Sequence, residues 1–148
     1  MIGKIKYAPG TLASLLTCFI FLVLVNVISY SVLLLITLII FFYSFVAINN
    51  SLDEFGNDDP QEIVIDEVVG QMLTLLAIPI FETLYSLPVI YYCASAFILF
   101  RLFDIWKPFP VNYIDNNVKG SFGVMLDDIA ASIYSIIILI LILFFLGG

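Results

Sequence analysis

The chain has 148 residues, 63% of them apolar and 11% charged, with a mean hydropathy of +1.17. Soluble domains run at about 45–50% apolar and about 25% charged, and a small one cannot hide this much apolar surface; an ordinary water-soluble enzyme and a disordered chain are both excluded. A net charge of −7 with only five basic residues excludes nucleic acid as the expected partner, and the lack of histidine removes histidine nucleophiles and most zinc sites.

No charged residue occurs from Tyr7 to Leu52. A membrane span needs about 20 apolar residues at about 1.5 Å each, so this run is too long for one crossing. The polar patch Asn26-Val27-Ile28-Ser29-Tyr30-Ser31 divides it and predicts two helices, roughly 11–27 and 31–49, joined by a tight turn. Both are slightly short, so a re-entrant hairpin is the alternative for this pair. The basic start is interrupted by Pro9-Gly10 and no small-residue cleavage site follows, which speaks against a signal peptide.

Residues 49–60 read as a polar loop, with Asp59 and Pro60 opening a third helix over roughly 60–78 that carries Glu62, Asp66 and Glu67 and that Pro79 helps to end. Tyr85 to Phe103 predicts a fourth helix, with Tyr85, Tyr91 and Tyr92 toward one end as interfacial aromatics. A second polar loop spans 104–122. The last helix, roughly Gly123 to Phe145, opens with Asp127-Asp128 and is uncharged from Ile129 onward. Cys18 and Cys93 lie in apolar runs without metal-like or redox-like partners and read as small core residues. The expected fold is an all-α, polytopic membrane bundle of about five apolar helices, forming a single domain over residues 1–148.

Five crossings, or four with a re-entrant first pair, place Lys4, Lys6, Arg101, Lys107 and Lys119 on one side. The positive-inside rule makes that side the cytoplasm. The same parity gathers Asp66, Glu67, Asp104, Asp127 and Asp128 at one depth, at the cytoplasmic ends of apolar helices. Carboxylates so placed repel unless a cation sits between them, and hard oxygen ligands suit Mg²⁺. The plainer reading is helix-dipole stabilisation of acids near an N-terminus. It covers Asp127, Asp128 and Glu62, and accounts less well for Asp66 and Glu67.

Arg101, Asp104 and Lys107 are three apart and share a helix face that Pro108 terminates. An exposed ion-pair ladder would have this spacing, and so would an anion clamp beside a metal ligand, with Arg gripping phosphate through parallel N–H donors. Lys119 and Gly120, just before Asp127-Asp128, add a cation and a turn. Gly10-Thr11 at the start of the first helix reads as an N-cap and, more weakly alone, as an anion site.

Four blocks carry these residues: Ala8-Pro9-Gly10-Thr11-Leu12-Ala13-Ser14, Ile65-Asp66-Glu67-Val68-Val69-Gly70, Phe100-Arg101-Leu102-Phe103-Asp104-Ile105-Trp106-Lys107-Pro108-Phe109-Pro110, and Val118-Lys119-Gly120-Ser121-Phe122-Gly123-Val124-Met125-Leu126-Asp127-Asp128. In this order they resemble the bacterial phosphatidylglycerophosphatase A family, the third and fourth blocks most specifically. The resemblance implies a Mg²⁺-dependent phosphatase of the bacterial inner membrane. Its membrane-lipid substrate would be phosphatidylglycerophosphate, and its products phosphatidylglycerol and inorganic phosphate. Asp66, Glu67, Asp104, Asp127 and Asp128 would then supply metal ligands and a base. Gly10, Thr11, Arg101, Lys107 and Lys119 would bind the phosphate. The rivals are a small carrier or channel with a cytoplasmic acidic cation site, which would place ionisable groups at several depths, and a head-group transferase, which needs a spaced-aspartate nucleotide pattern this chain lacks.

Overall fold

The computed structural model describes residues 9–55 and 64–147. All regular structure among them is helical: α1 Pro9–Leu24, α2 Tyr30–Phe55, α3 Ile65–Leu76, α4 Ile78–Leu84, α5 Val89–Trp106, α6 Val111–Asn117 and α7 Gly120–Gly147. In hydrocarbon every backbone N–H and C=O must pair within the protein, and a helix does this within one segment. Four stretches are long and apolar enough to cross a membrane: Tyr30–Asn50, Ile65–Leu84, Val89–Trp106 and Gly120–Gly147. The 16-residue α1 is apolar but shorter.

Several boundaries differ from the sequence-based expectation. The turn after α1 is where the polar patch placed it. There Asn26 Nδ2 donates to the Leu22 carbonyl at 2.6 Å and satisfies one of the last carbonyls of the helix. Residues 49–55, expected in a loop, continue α2, because nothing before Gly56 breaks the hydrogen-bond ladder. The predicted helix start at Asp59 and Pro60, with Glu62, lies outside the described residues, as do Lys4 and Lys6. Pro79 does not end a helix. It sits in the first turn of α4, where its missing N–H costs nothing, after a one-residue break at Ala77. The fourth predicted helix starts later than Tyr85, because Pro88 sets its entry. The loop 104–122 contains the unpredicted α6, whose Val111 is fully buried and anchors it against α7.

α3 is the central element and packs against α1, α2, α5 and α7. Gly70 permits this closeness: a Cβ there would lie 2.7 Å from the Phe100 ring of α5 and 3.2 Å from Asp128 Cβ of α7. α2 lies at the edge and shows the bundle a single stripe, Leu33, Thr37, Ser44 and Ile48. Its other faces, like those of α1 and α7, expose Leu, Ile and Phe, as a lipid-facing surface does. Hydroxyls inside the helices pair with their own backbone: Thr17 to the Ala13 carbonyl, Thr37 to Leu33, Thr74 to Gly70 and Ser135 to Ala131.

The main apolar core joins Phe21, Leu33, Leu75, Ile78, Phe81, Tyr92 and Leu139, toward the end of the bundle where α1 finishes and α5 begins. Tyr92 donates to the Tyr85 carbonyl and accepts the Leu87 N–H, closing the turn before α5. Cys18 and Cys93 are buried free thiols in this core, as expected. The polar residues collect at the opposite end, where α1, α3 and α7 begin and α5 finishes.

Candidate active site

Asp66 and Glu67 occupy the first turn of α3, and Asp128 lies on the buried face of α7. Each offers one carboxylate oxygen to a group whose atoms all lie within 4.8 Å of one another. Asp66 Oδ1, Glu67 Oε2 and Asp128 Oδ2 are buried and have no hydrogen-bond partner among the described residues. An unmet buried acceptor costs about 1–3 kcal/mol, and more if charged. Adjacent unpaired carboxylates add mutual repulsion. Helix-dipole stabilisation does not meet these oxygens, since it needs no convergence of α3 with α7. The donor set, three hard oxygens without competing donors, fits a divalent cation of the Mg²⁺ type.

Asp104 and Asp127, expected as members of the same set, lie beside this trio and act electrostatically on Asp128, but each is held by a cation. Arg101 Nη1 donates to Asp104 Oδ2 at 2.5 Å, one turn along α5. Arg101 Nε is buried and has no acceptor among the described residues. Lys107 does not extend that ladder. It is the C-cap of α5 in the left-handed conformation, with φ 46°. From there its Nζ reaches Asp127 Oδ2 at 2.7 Å and Asp115 Oδ1 at 2.6 Å, joining α5 to α7 and α6. Burial opposes the Lys107 charge, but these two carboxylates outweigh it and raise the ammonium pKa above the ordinary lysine value. The cation therefore persists at any physiological pH.

Gly10 brings α1 to the site. A side chain at this position would run into the Glu67 carboxylate and come within 3.2 Å of Arg101 Nη1. Thr11 is partly exposed beside it. Lys119 is exposed in the turn before α7 and makes no ion pair among the described residues, so the fold does not bring it onto the carboxylates as it does Lys107.

Three residues were missed at sequence level. Asp115 is the second partner of Lys107. Gln71 and Ser14 are fully buried, and Gln71 Oε1, Gln71 Nε2 and Ser14 Oγ have no partner among the described residues. The signal was present: Gln71 is four residues beyond Glu67, and Ser14 four beyond Gly10, so each lies one turn deeper on the same helix face.

Comparison with known proteins bears on this arrangement. The family model described as phosphatidylglycerophosphatase A matches residues 1–143. A Bacteroides thetaiotaomicron protein, provisionally named a phosphatidylinositol-3-phosphatase, is 36% identical over 140 residues, covering 93% of this chain and 84% of its own length. The phosphatidylglycerophosphatase A of Haemophilus influenzae is 35% identical over 136 residues, covering 92% of this chain and 79% of its own. That of Escherichia coli is 38% identical over 82 residues, covering 55% and 44% respectively. No solved structure gives a significant match.

Proposed function

The chain belongs to the phosphatidylglycerophosphatase A family, and from that premise we propose that it hydrolyses phosphatidylglycerophosphate to phosphatidylglycerol and inorganic phosphate in a bacterial inner membrane. Membership supports a lipid phosphatase of phospholipid metabolism in a multi-pass membrane protein. The observation that carries the finer reading is the convergence of three unpaired carboxylate oxygens beside an arginine with a free donor edge.

Asp66, Glu67 and Asp128 would hold Mg²⁺. When bound, the cation supplies positive charge where negative charge builds on the phosphoryl group. Arg101 and Lys107 act in the same sense from the other side, held in place by Asp104 and Asp127. Thr11 and the first N–H groups of α1 orient the phosphate oxygens. Lys119 draws the anionic head group from the interface. Water attacks phosphorus, the ester P–O bond to the glycerol oxygen breaks, and a carboxylate of the acidic set accepts the proton the water loses.

The site faces the cytoplasm in this reading, since that orientation puts all five basic residues on the positive-inside face. The acyl chains stay in the bilayer and the terminal phosphate reaches the interface, where the charged residues lie. The single apolar-ended cluster also separates this reading from a carrier, whose pathway would need ionisable groups at several depths.

The test is phosphate release by purified protein in detergent, with Mg²⁺ and then with excess EDTA. Release that needs the metal and disappears in Asp104→Asn is expected, whereas release that survives EDTA overturns the metal site. The Bacteroides relative's name supports one competing substrate, a phosphatidylinositol 3-phosphate. Both lipids belong in the same assay, and faster turnover of the inositide would replace phosphatidylglycerophosphate as the substrate.

A further inference from the structure

α1 and α5 run in opposite directions and touch at their small residues: Cys18 Sγ lies 4.0 Å from the Cys93 carbonyl. Larger side chains rise on both sides of that contact, Leu12, Leu16 and Phe19 from α1 and Ile90 and Phe97 from α5, with Ala94 leaving space between them. The result is an apolar cleft of about 680 Å³, within the range of small-ligand sites. Leu12, Phe19 and Ile90 are exposed, so the cleft opens sideways on the lipid-facing surface of the bundle.

The upper end of the cleft is continuous with the candidate active site. Leu12 follows Gly10 and Thr11, and Gly10 backs onto Glu67 and Arg101. Phe97 is one helical turn from Arg101 on α5. From Leu12 to Leu22 the α1 wall runs about 15 Å at the helical rise. That is about half of a 30 Å hydrocarbon core, the depth of one leaflet.

We infer that this cleft is an acyl-chain site: it takes one fatty-acyl chain of the lipid whose phosphate is bound at Arg101 and the carboxylate trio. The inference deepens the proposed lipid phosphatase reading and rests on it for the identity of the head group. A chain seated here is held between two walls, unlike a bilayer lipid that meets the flat outer face of α7. Each methylene it removes from looser contact adds to affinity, so a few methylenes displaced by a bulky side chain cost about tenfold.

The experiment uses the full chain in phosphatidylcholine vesicles containing a small fraction of phosphatidylglycerol with a photoactivatable diazirine at one acyl tail. Peptides carrying the label are mapped by mass spectrometry. Labelling concentrated on the α1 and α5 walls is expected, well above that on the outward Ile133 and Ile137 of α7. It should fall about tenfold in Ala94→Phe, and likewise in Leu16→Trp on the opposite wall, while α7 labelling stays. Equal labelling all round, insensitivity to both variants, or a cleft shielded by a second copy of the chain would each overturn the inference.

A kinetic arm separates this inference from the reading it rests on. In Ala94→Phe the KM for dioleoyl phosphatidylglycerophosphate should rise about tenfold relative to that for a dihexanoyl form. A wild-type protein that releases no phosphate from either lipid sinks the phosphatase reading, and the labelling pattern still decides the cleft.

Discussion

Lys107 and Asp127, twenty residues apart in sequence, are joined by a 2.7 Å ion pair that ties the end of α5 to the start of α7. The same ammonium also meets Asp115 at 2.6 Å, so one side chain closes three helices over the acidic cluster. The two contacts are unequal. Asp127 is nearly buried, whereas the Asp115 side chain remains 39% exposed. Lys107→Met would leave Asp127 charged and unpaired, at an expected cost of about 2 kcal/mol, while Asp115→Asn should cost less than about 1 kcal/mol. Thermal unfolding in detergent checks this order, and the double variant Lys107→Met/Asp127→Asn should recover much of the loss.

Metal binding and stability should be linked through Asp128. The wild-type thermal midpoint is expected to rise with Mg²⁺ and fall back with EDTA, by about 2.7 kcal/mol of stability at a hundredfold excess over Kd. Asp128→Asn removes one of three crowded carboxylates, so without metal it should be at least as stable as wild type. It should lose the Mg²⁺ response and about three orders of magnitude of turnover. A Mg²⁺ shift of wild-type size in Asp128→Asn would remove this residue from the metal set.

The two close-approach glycines should fail in different ways. At Gly10 an added methyl meets the Glu67 carboxylate, the movable end of a side chain. Gly10→Ala should therefore keep near-normal stability and lose activity, through a displaced Glu67. At Gly70 the methyl meets the fixed Phe100 ring and Asp128 Cβ. Gly70→Ala should lower stability by about 1–3 kcal/mol and activity together. Parallel melts and phosphate-release assays distinguish them.

Tyr92→Phe marks the other end of the bundle. It removes the hydroxyl that joins the Tyr85 carbonyl to the Leu87 N–H. The expected loss is about 1 kcal/mol of stability, with turnover at permissive temperature unchanged. A large drop in turnover would show that the far core and the charged end are coupled.

Much of this architecture was legible in the residues themselves. Hydropathy alone set the membrane class, the helices and the turn at Asn26–Ser29, because an apolar run has few ways to satisfy its backbone in lipid. Parity then placed Asp66, Glu67, Arg101, Asp104, Asp127 and Asp128 at one end, and the same blocks of residues carried the family. Element edges were less readable. Pro79 and Pro88 open helices here, and a proline has the same missing N–H whether it starts a helix or stops one.

Only the tertiary structure decided which carboxylates share an ion-sized space and which are held by a cation. Sequence spacing relates Arg101, Asp104 and Lys107 along one helix. It does not say that α5 ends in a left-handed Lys107 and so sends that ammonium to α6 and α7 rather than back to Asp104. Nor does it reveal that Gly70 lets α7 approach until Asp128 meets Asp66 and Glu67. Local patterns encode faces and depths, whereas contacts between helices depend on the volumes of residues far apart in the chain. The carboxylate trio and the cleft between α1 and α5 both arise from such volumes.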